Sequence, residues 1–128
     1  MADDHPYPDV EAELVDTQLA DLGYTCTATD EQLQQRIAST EVIRVQRLGG
    51  PPDAHTDHAR VRVDVYGRTR AVAWSTARRV EQRLTGRLRR PLDLGSVENG
   101  LQRAPSDDEG THVVTATYSI SARRLLTG

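Results

Sequence analysis

Apolar residues at the start of the chain recur every three or four positions, the spacing of one helix face. Pro8 suits the first turn of a helix and Gly23 suits its end, so the pattern predicts a helix over residues 8–22. The apolar stripe of this helix consists of Val10, Leu14, Val15, Leu19 and Leu22.

The next segments predict a short strand and a short second helix. Residues 24–28 are rich in Thr and Tyr, as strands are. Thr29 or Asp30 can cap the helix, which holds Leu33 and Ile37.

Strict alternation of apolar and polar residues then predicts two antiparallel strands. Residues 41–48 alternate around Ile43 and Val45, and residues 59–66 alternate around four apolar residues, namely Ala59, Val61, Val63 and Val65. Residues 49–57 connect them, and a connection of that length is too long for a tight turn. We therefore expect it to be a loop that projects from the sheet.

A helical pattern returns after the second strand. Thr69 can cap this helix, which extends to Leu84 or Leu88 with inward residues Ala73, Trp74, Ala77, Val80 and Leu84. A weak strand over residues 94–103, a turn and a final strand over residues 112–123 follow.

This order predicts a single α+β domain over residues 1–128, with residues 1–7 as a flexible arm. We expect one mainly antiparallel sheet of about four to five strands. The first and third helices should cover one sheet face. The second helix is short and completes a set of three helices. The other face should be polar, carrying Arg60, Arg62, Asp64 and a Thr/Ser row.

Composition narrows the classes of protein that fit. The apolar fraction is 37% and Phe is absent, so the core should be aliphatic and thin. One cysteine, Cys26, excludes an intramolecular disulfide, and we find neither a signal peptide nor a membrane-spanning run. These features predict folding in the cytoplasm, without a membrane partner.

Charge is distributed unevenly along the chain. Nine acids and no Arg lie between Asp3 and Glu31, whereas eight arginines and one acid lie between Arg68 and Arg90. The two segments either lie side by side or form two solvated faces within a molecule. Alternatively, the acidic surface of one copy meets the basic surface of the next in a head-to-tail ring.

Candidate catalytic and metal chemistry is sparse. The side chains of His55, Asp57 and His58 are of types that bind metal ions, and Asp53 adds a carboxylate. No helix sets their spacing, so a solvated loop is the favoured interpretation. The "GGPP" run at residues 49–52 lacks the Lys and Ser/Thr of a phosphate loop. We predict neither an enzyme nor a cofactor.

The arginine-rich helix can also be interpreted as a nucleic-acid surface, because clustered arginines contact phosphates. Overall acidity, the absence of Lys and the lack of stacking aromatic residues beside the arginines argue against this interpretation.

Five segments in succession resemble the small tail terminator proteins of long-tailed, siphovirus-type actinobacteriophages, which are similar to the lambda-type tail terminator. They are VEAELVDTQLADLG (10–23), RVQRLGGP (44–51), TDHARVRVDVY (56–66), TRAVAW (69–74) and ATYSISAR (116–123). The resemblance spans nearly the whole chain in order and departs from the family over residues 92–110.

The resemblance implies a structural virion protein at the head–tail junction, assembled in the host cytoplasm as a homo-oligomeric, hexameric ring. Such a ring caps the major tail tube protein, ends tube polymerisation and receives the head-side connector, while genome DNA passes through its lumen without specific binding. Another neck component, such as a head-completion or stopper protein, and a small nucleic-acid-binding regulator remain the alternatives.

Two sets of contact residues follow from this picture. The expected subunit interface consists of Arg60, Arg62, Asp64, Arg78, Arg79, Arg83, Glu11 and Asp16. The loop expected to contact the tube or the connector contains Gly49, Gly50, Pro51, Pro52, Asp53, His55 and Asp57.

Overall fold

The computed structural model describes residues 9–49, 56–105 and 110–123. Its helices are α1 (Val10–Glu13), a π-helical segment (Leu14–Gln18), α2 (Leu33–Ile37) and α3 (Arg70–Leu84). Its strands are β1 (Tyr24–Cys26), β2 (Val42–Gly49), β3 (Thr56–Gly67), β4 (Gly86–Arg87), β5 (Leu92–Ala104) and β6 (His112–Arg123).

The six strands form one mixed sheet in the order β1-β2-β3-β6-β5-β4. β1 runs parallel to β2, and the other neighbours are antiparallel. The predicted α+β class and the antiparallel pairing of β2 with β3 are therefore confirmed. The sheet has six strands where four to five were expected. The additional strand is β4, which has two residues and therefore no alternation that could predict it.

The first helix is shorter than predicted at both ends, because it covers residues 10–18 and not residues 8–22. It begins at Val10, later than predicted, because Asp9 is the N-cap and its Oδ1 accepts a 3.1 Å hydrogen bond from Ala12 N. It then widens into the π-helical segment, where Leu19 N donates to Leu14 O over five residues. This wider turn allows both leucines to be buried on one face.

The long helix α3 agrees with the shorter of its two predicted extents. Thr69 caps it, and Thr69 Oγ1 accepts a 3.2 Å hydrogen bond from Val72 N. The helix ends at Leu84, where the chain turns into β4. The predicted inward alanines, Val80 and Leu84 are buried, while Trp74 packs against the core and stays partly exposed.

The main core lies between one sheet face and the two predicted helices, as expected. Apolar residues from α1, the π-helical segment and α3 form one cluster with the inward residues of β3 and β6. The inward row of β6 consists of Val114, Ala116, Tyr118, Ile120 and Ala122, and every member is buried. Tyr118 is the largest fully buried side chain.

The hydroxyl group of Tyr118 is buried without a hydrogen-bond partner among the described residues. Burial, and to a smaller extent the nearby Glu81 carboxylate, raise the pKa of Tyr118. We expect Tyr118→Phe to change the free energy of unfolding by less than about 0.5 kcal/mol or to increase it, because it removes an unsatisfied group. Urea denaturation measures this change.

Thr76 provides the control for this substitution. Its buried hydroxyl donates a 2.7 Å hydrogen bond to Glu41 Oε1. We expect Thr76→Val to lower the free energy of unfolding by about 1 kcal/mol, because it breaks a formed bond. A larger loss for Tyr118→Phe than for Thr76→Val would contradict our interpretation of Tyr118.

The second sheet face is less uniformly polar than the alternation predicted. At one end, Val42 of β2, Val113 of β6 and Ile37 of α2 are buried outside the main core cluster. Gln34 of α2 donates a 2.7 Å hydrogen bond from Nε2 to Thr111 Oγ1, just before β6. The short helix α2 therefore covers this end of the second face, an arrangement that the sequence did not predict.

The predicted contact loop is shorter than expected. Gly49 is the last residue of β2 and pairs with Arg60, while Thr56 and Asp57 already belong to β3. Gly49 and Asp57 are therefore strand residues. The rest of the loop (50–55) and the predicted arm (1–7) lie outside the described residues. None of the described helices is long and apolar enough to cross a membrane.

Candidate functional site

Side chains of four strands share the second sheet face. The register places Gln46, Arg62, Thr117 and Asn99 in one row across β2, β3, β6 and β5. The next row contains Arg60, Ser119 and Ser96. Gln46, Arg60, Ser96 and Asn99 are exposed. The predicted polar face is therefore present over β3, β6 and β5.

Asp64 lies on this face but is buried, which corrects the expectation that it is exposed. Its exposed fraction is 1%. Arg44, directly opposite on β2, places Nη2 3.0 Å from Asp64 Oδ2, and Arg62, two residues earlier on β3, places Nε 3.0 Å from Oδ1. Each carboxylate oxygen thus has its own guanidinium partner, which compensates for the loss of hydration.

Arg60 forms an ion pair that spans β6. Its Nη2 and Nε lie 2.6 and 2.8 Å from Glu98 Oε1 of β5, and the hydrogen bond to Glu98 raises the pKa of Arg60. Both side chains keep contact with solvent. These ion pairs thus join three guanidinium groups to two carboxylates of the described side chains, so most of their charge is neutralised within the chain.

The acidic N-terminal segment and the arginine-rich helix meet through Arg83. Arg83 Nη1 and Nη2 donate hydrogen bonds of 2.8 and 3.1 Å to the two oxygens of Asp21, and this contact lowers the pKa of Asp21. Arg83 Nη1 also donates to Gln18 O at 2.8 Å. Arg83, expected at a subunit interface, therefore has partners within its own chain.

The other predicted interface residues occupy varied positions. Glu11 accepts a 2.7 Å hydrogen bond from the backbone N of Arg47, which satisfies a donor on β2 beyond the end of β1. The Arg78 guanidinium lies 5.8 Å from the Trp74 ring centroid. Arg79 and Asp16 are exposed. The structure does not gather the predicted interface residues into one patch.

A polar groove of about 450 Å³ opens between the end of the first helix and the segment after α3. We call it the arginine groove, lined by Thr17, Gln18, Ala20, Asp21, Arg83, Arg87, Leu88 and Arg89. A neighbouring cavity of about 340 Å³ shares Arg83 and Arg87 and adds Arg79. Gln18 is buried, and its Nε2 donates a 2.8 Å hydrogen bond to Arg89 O. This bond joins the end of the first helix to the segment after α3.

The charges of the arginine groove are unbalanced. Asp21 offsets Arg83, whereas the side chains of Arg87 and Arg89 form no ion pair with the other described residues. Arg79, on the rim, contributes to the low pKa of Asp21 through space. The groove and its rim thus hold four arginines against one carboxylate.

The candidate metal cluster falls largely outside the described residues. His58 is described and exposed, whereas Asp53 and His55 lie in the undescribed connection, as do Gly50, Pro51 and Pro52. Within the described ranges, no three His, Cys, Asp or Glu side chains come together as metal ligands would.

Several residues of these surfaces were not among the predicted site residues, including Asp21 and Arg87 of the arginine groove. Glu98 pairs with Arg60, Arg44 pairs with Asp64, and Gln18 and Arg89 close the arginine groove. The alternation around Arg44 placed it on the polar face of β2, which was a usable signal. No sequence signal located Glu98 beside Arg60, because β6 lies between their strands.

Comparison with known proteins assigns no family. A scan against models of protein families and a search of curated proteins both find no match to this chain. The resemblance of its segments and the surfaces described above are therefore what point to a function.

Proposed function

We propose that this chain is a ring-forming tail terminator of a long-tailed phage. In this role it caps the tail tube, ends tube polymerisation and provides the surface that joins the head. The action is steric, with no catalytic residue and no cofactor. Its expected partners are further copies of itself, the major tail tube protein and a head-side connector.

The observation that carries this proposal is the contrast between the two sheet faces. One face is buried under α1 and α3, and the other presents a polar surface over β3, β6 and β5 with its charges largely paired. Paired charges leave a weak electrostatic attraction for phosphate. Such a face suits a lumen through which genome DNA passes without specific binding, so in this proposal Arg60, Arg62 and Asp64 line the lumen and not the subunit interface expected from the sequence.

Ring formation explains how the chain would end tube growth. Copies joined through two different surfaces form a ring when the rotation between neighbours closes. A closed ring of a different protein on the last tube disc removes the template for another disc. The connector then binds the opposite side of the ring.

The unbalanced arginine groove favours a second candidate, a nucleic-acid-binding regulator. Arg79, Arg87 and Arg89 offer cationic groups that phosphates bind. A regulator of this kind would bind duplex DNA with an affinity that falls steeply as salt rises. A tail terminator should show weak DNA binding and a shallow salt dependence.

The deciding experiment combines the purified protein with tail tubes that have open ends. We expect rings of about six copies at one end of each tube, seen by electron microscopy, and arrest of further tube growth when tube subunits are added. Tubes without the protein are the control and should continue to grow.

Other outcomes would separate the alternatives. Binding to the head-side vertex with no effect on tube growth would indicate a stopper or head-completion protein. A monomer that ignores tube ends and binds duplex DNA with a steep salt slope would indicate the regulator.

A further inference from the structure

We propose that the arginine groove of one copy binds the acidic segment at residues 1–8 of a second copy. This inference rests on the proposed function, because it assigns a partner to one subunit surface of the ring. The segment reads MADDHPYP and contains Asp3 and Asp4. It lies outside the described residues.

Charge complementarity is the first argument for this partner. The groove and its rim hold Arg79, Arg83, Arg87 and Arg89 against the single carboxylate of Asp21, an excess of three positive groups. Residues 1–8 carry two carboxylates and no arginine. Opposite charges placed across an interface favour the correct partner and speed its association.

The groove already binds one carboxylate in the way the proposal requires. Both oxygens of Asp21 accept hydrogen bonds from Arg83, at 2.8 and 3.1 Å. A guanidinium group recognises a carboxylate through two parallel hydrogen bonds of this kind. Arg87 and Arg89 have no such partner among the described residues, so their donors are available to carboxylates from outside.

The path of the chain favours a second copy over the chain's own acidic segment. The first helix begins beside β2, where Glu11 binds Arg47 N, whereas the groove lies at the other end of this helix, at Thr17–Asp21. Residues 10–18 form the helix between these points, and at about 1.5 Å per residue they span about 13 Å. The chain's own residues 1–8, which span about 27 Å when extended, would have to run back along the whole helix.

A cysteine-capture experiment tests this contact directly. In a Cys26→Ala background, one variant carries Asp4→Cys and another carries Arg87→Cys, and the two are mixed under mild oxidation. We expect a covalent dimer that forms severalfold faster than in a control mixture of Asp4→Cys with Arg70→Cys. Arg70 is an exposed arginine at the opposite end of α3.

The dependence of capture on charge provides a second test. About 1 M salt, where the Debye length falls to about 3 Å, should remove the excess rate over the control pair. Reversing the charge of the acidic segment with Asp3→Arg should also slow capture. Adding Arg89→Glu to the chain that carries Arg87→Cys should restore the rate. Circular dichroism confirms that each variant is folded.

Equal rates for the Arg87 and Arg70 pairs would overturn the proposal. So would a chain carrying both Asp4→Cys and Arg87→Cys that forms its disulfide internally at every dilution, because the chain's own segment would then fill the groove. The groove would instead be assigned to nucleic acid if capture showed no excess rate and if Arg79→Glu and Arg87→Glu abolished binding of duplex DNA. Rings that still form at tube ends in any of these cases would leave the tail-terminator function standing, whereas absent rings would refute that function separately.

Discussion

Gly95→Ala should lower the free energy of unfolding by about 4 kcal/mol, a large part of the stability of a domain of this size. A methyl group on Gly95 would lie 1.8 Å from Leu84 O and 2.9 Å from Leu84 C, and both atoms belong to backbone. Backbone at the end of α3 cannot move without disturbing Leu84, which is fully buried. Urea denaturation with an unchanged m-value measures the loss.

Gly100 provides a matched control on the same strand. A methyl group added there meets no atom within 4 Å, and the residue is exposed. We therefore expect Gly100→Ala to change stability by less than about 0.5 kcal/mol. Similar losses for the two substitutions would show that β5 tolerates no side chain for a reason other than contact with α3.

Asp64→Ala should lower the free energy of unfolding by about 3 kcal/mol. It removes a buried carboxylate that two guanidinium groups approach to 3.0 Å, leaving Arg44 and Arg62 without their partner. The loss stays below that of a fully buried pair, because Arg62 can regain some water. Denaturation midpoints of the variant and the parent chain give the difference.

Glu98→Ala is the comparison for this prediction. It also breaks an ion pair on the second face, but both Glu98 and Arg60 contact solvent. Exposed pairs contribute little, so we expect no measurable loss. If Glu98→Ala proves as damaging as Asp64→Ala, burial is not what makes the Asp64 cluster important for stability.

Local pattern predicted most of the elements. The alternation around Val61 and Val63 predicted β3, and a similar alternation predicted β6 over the range at which it is found. Thr69 predicted the start of α3, because a capping hydroxyl satisfies backbone donors three residues away. These signals depend on neighbours within one turn or one pleat, and such neighbours are present in the sequence itself.

The candidate surfaces were harder to predict than the elements. The polar residues of β3 were assigned to the correct face, because side chains alternate across a strand. Burial of Asp64 was missed, since it depends on Arg44 lying opposite in the register of β2. The Asp21–Arg83 pair joins residues 62 positions apart, and the sequence left open whether such acids and arginines meet within a chain or between copies.

Local patterns were enough to predict the α+β class, the two helices on one sheet face, the polar character of much of the other face and the separation of acids from arginines along the chain. The folded chain was needed to show that β6 lies between β3 and β5, that Gly95 contacts the end of α3, and that four arginines line one groove and its rim. The difference lies in how far apart in the sequence the interacting residues are. Periodicity and capping act between near neighbours in sequence, whereas strand order, close backbone contact and the balance of charges depend on segments that only folding brings together.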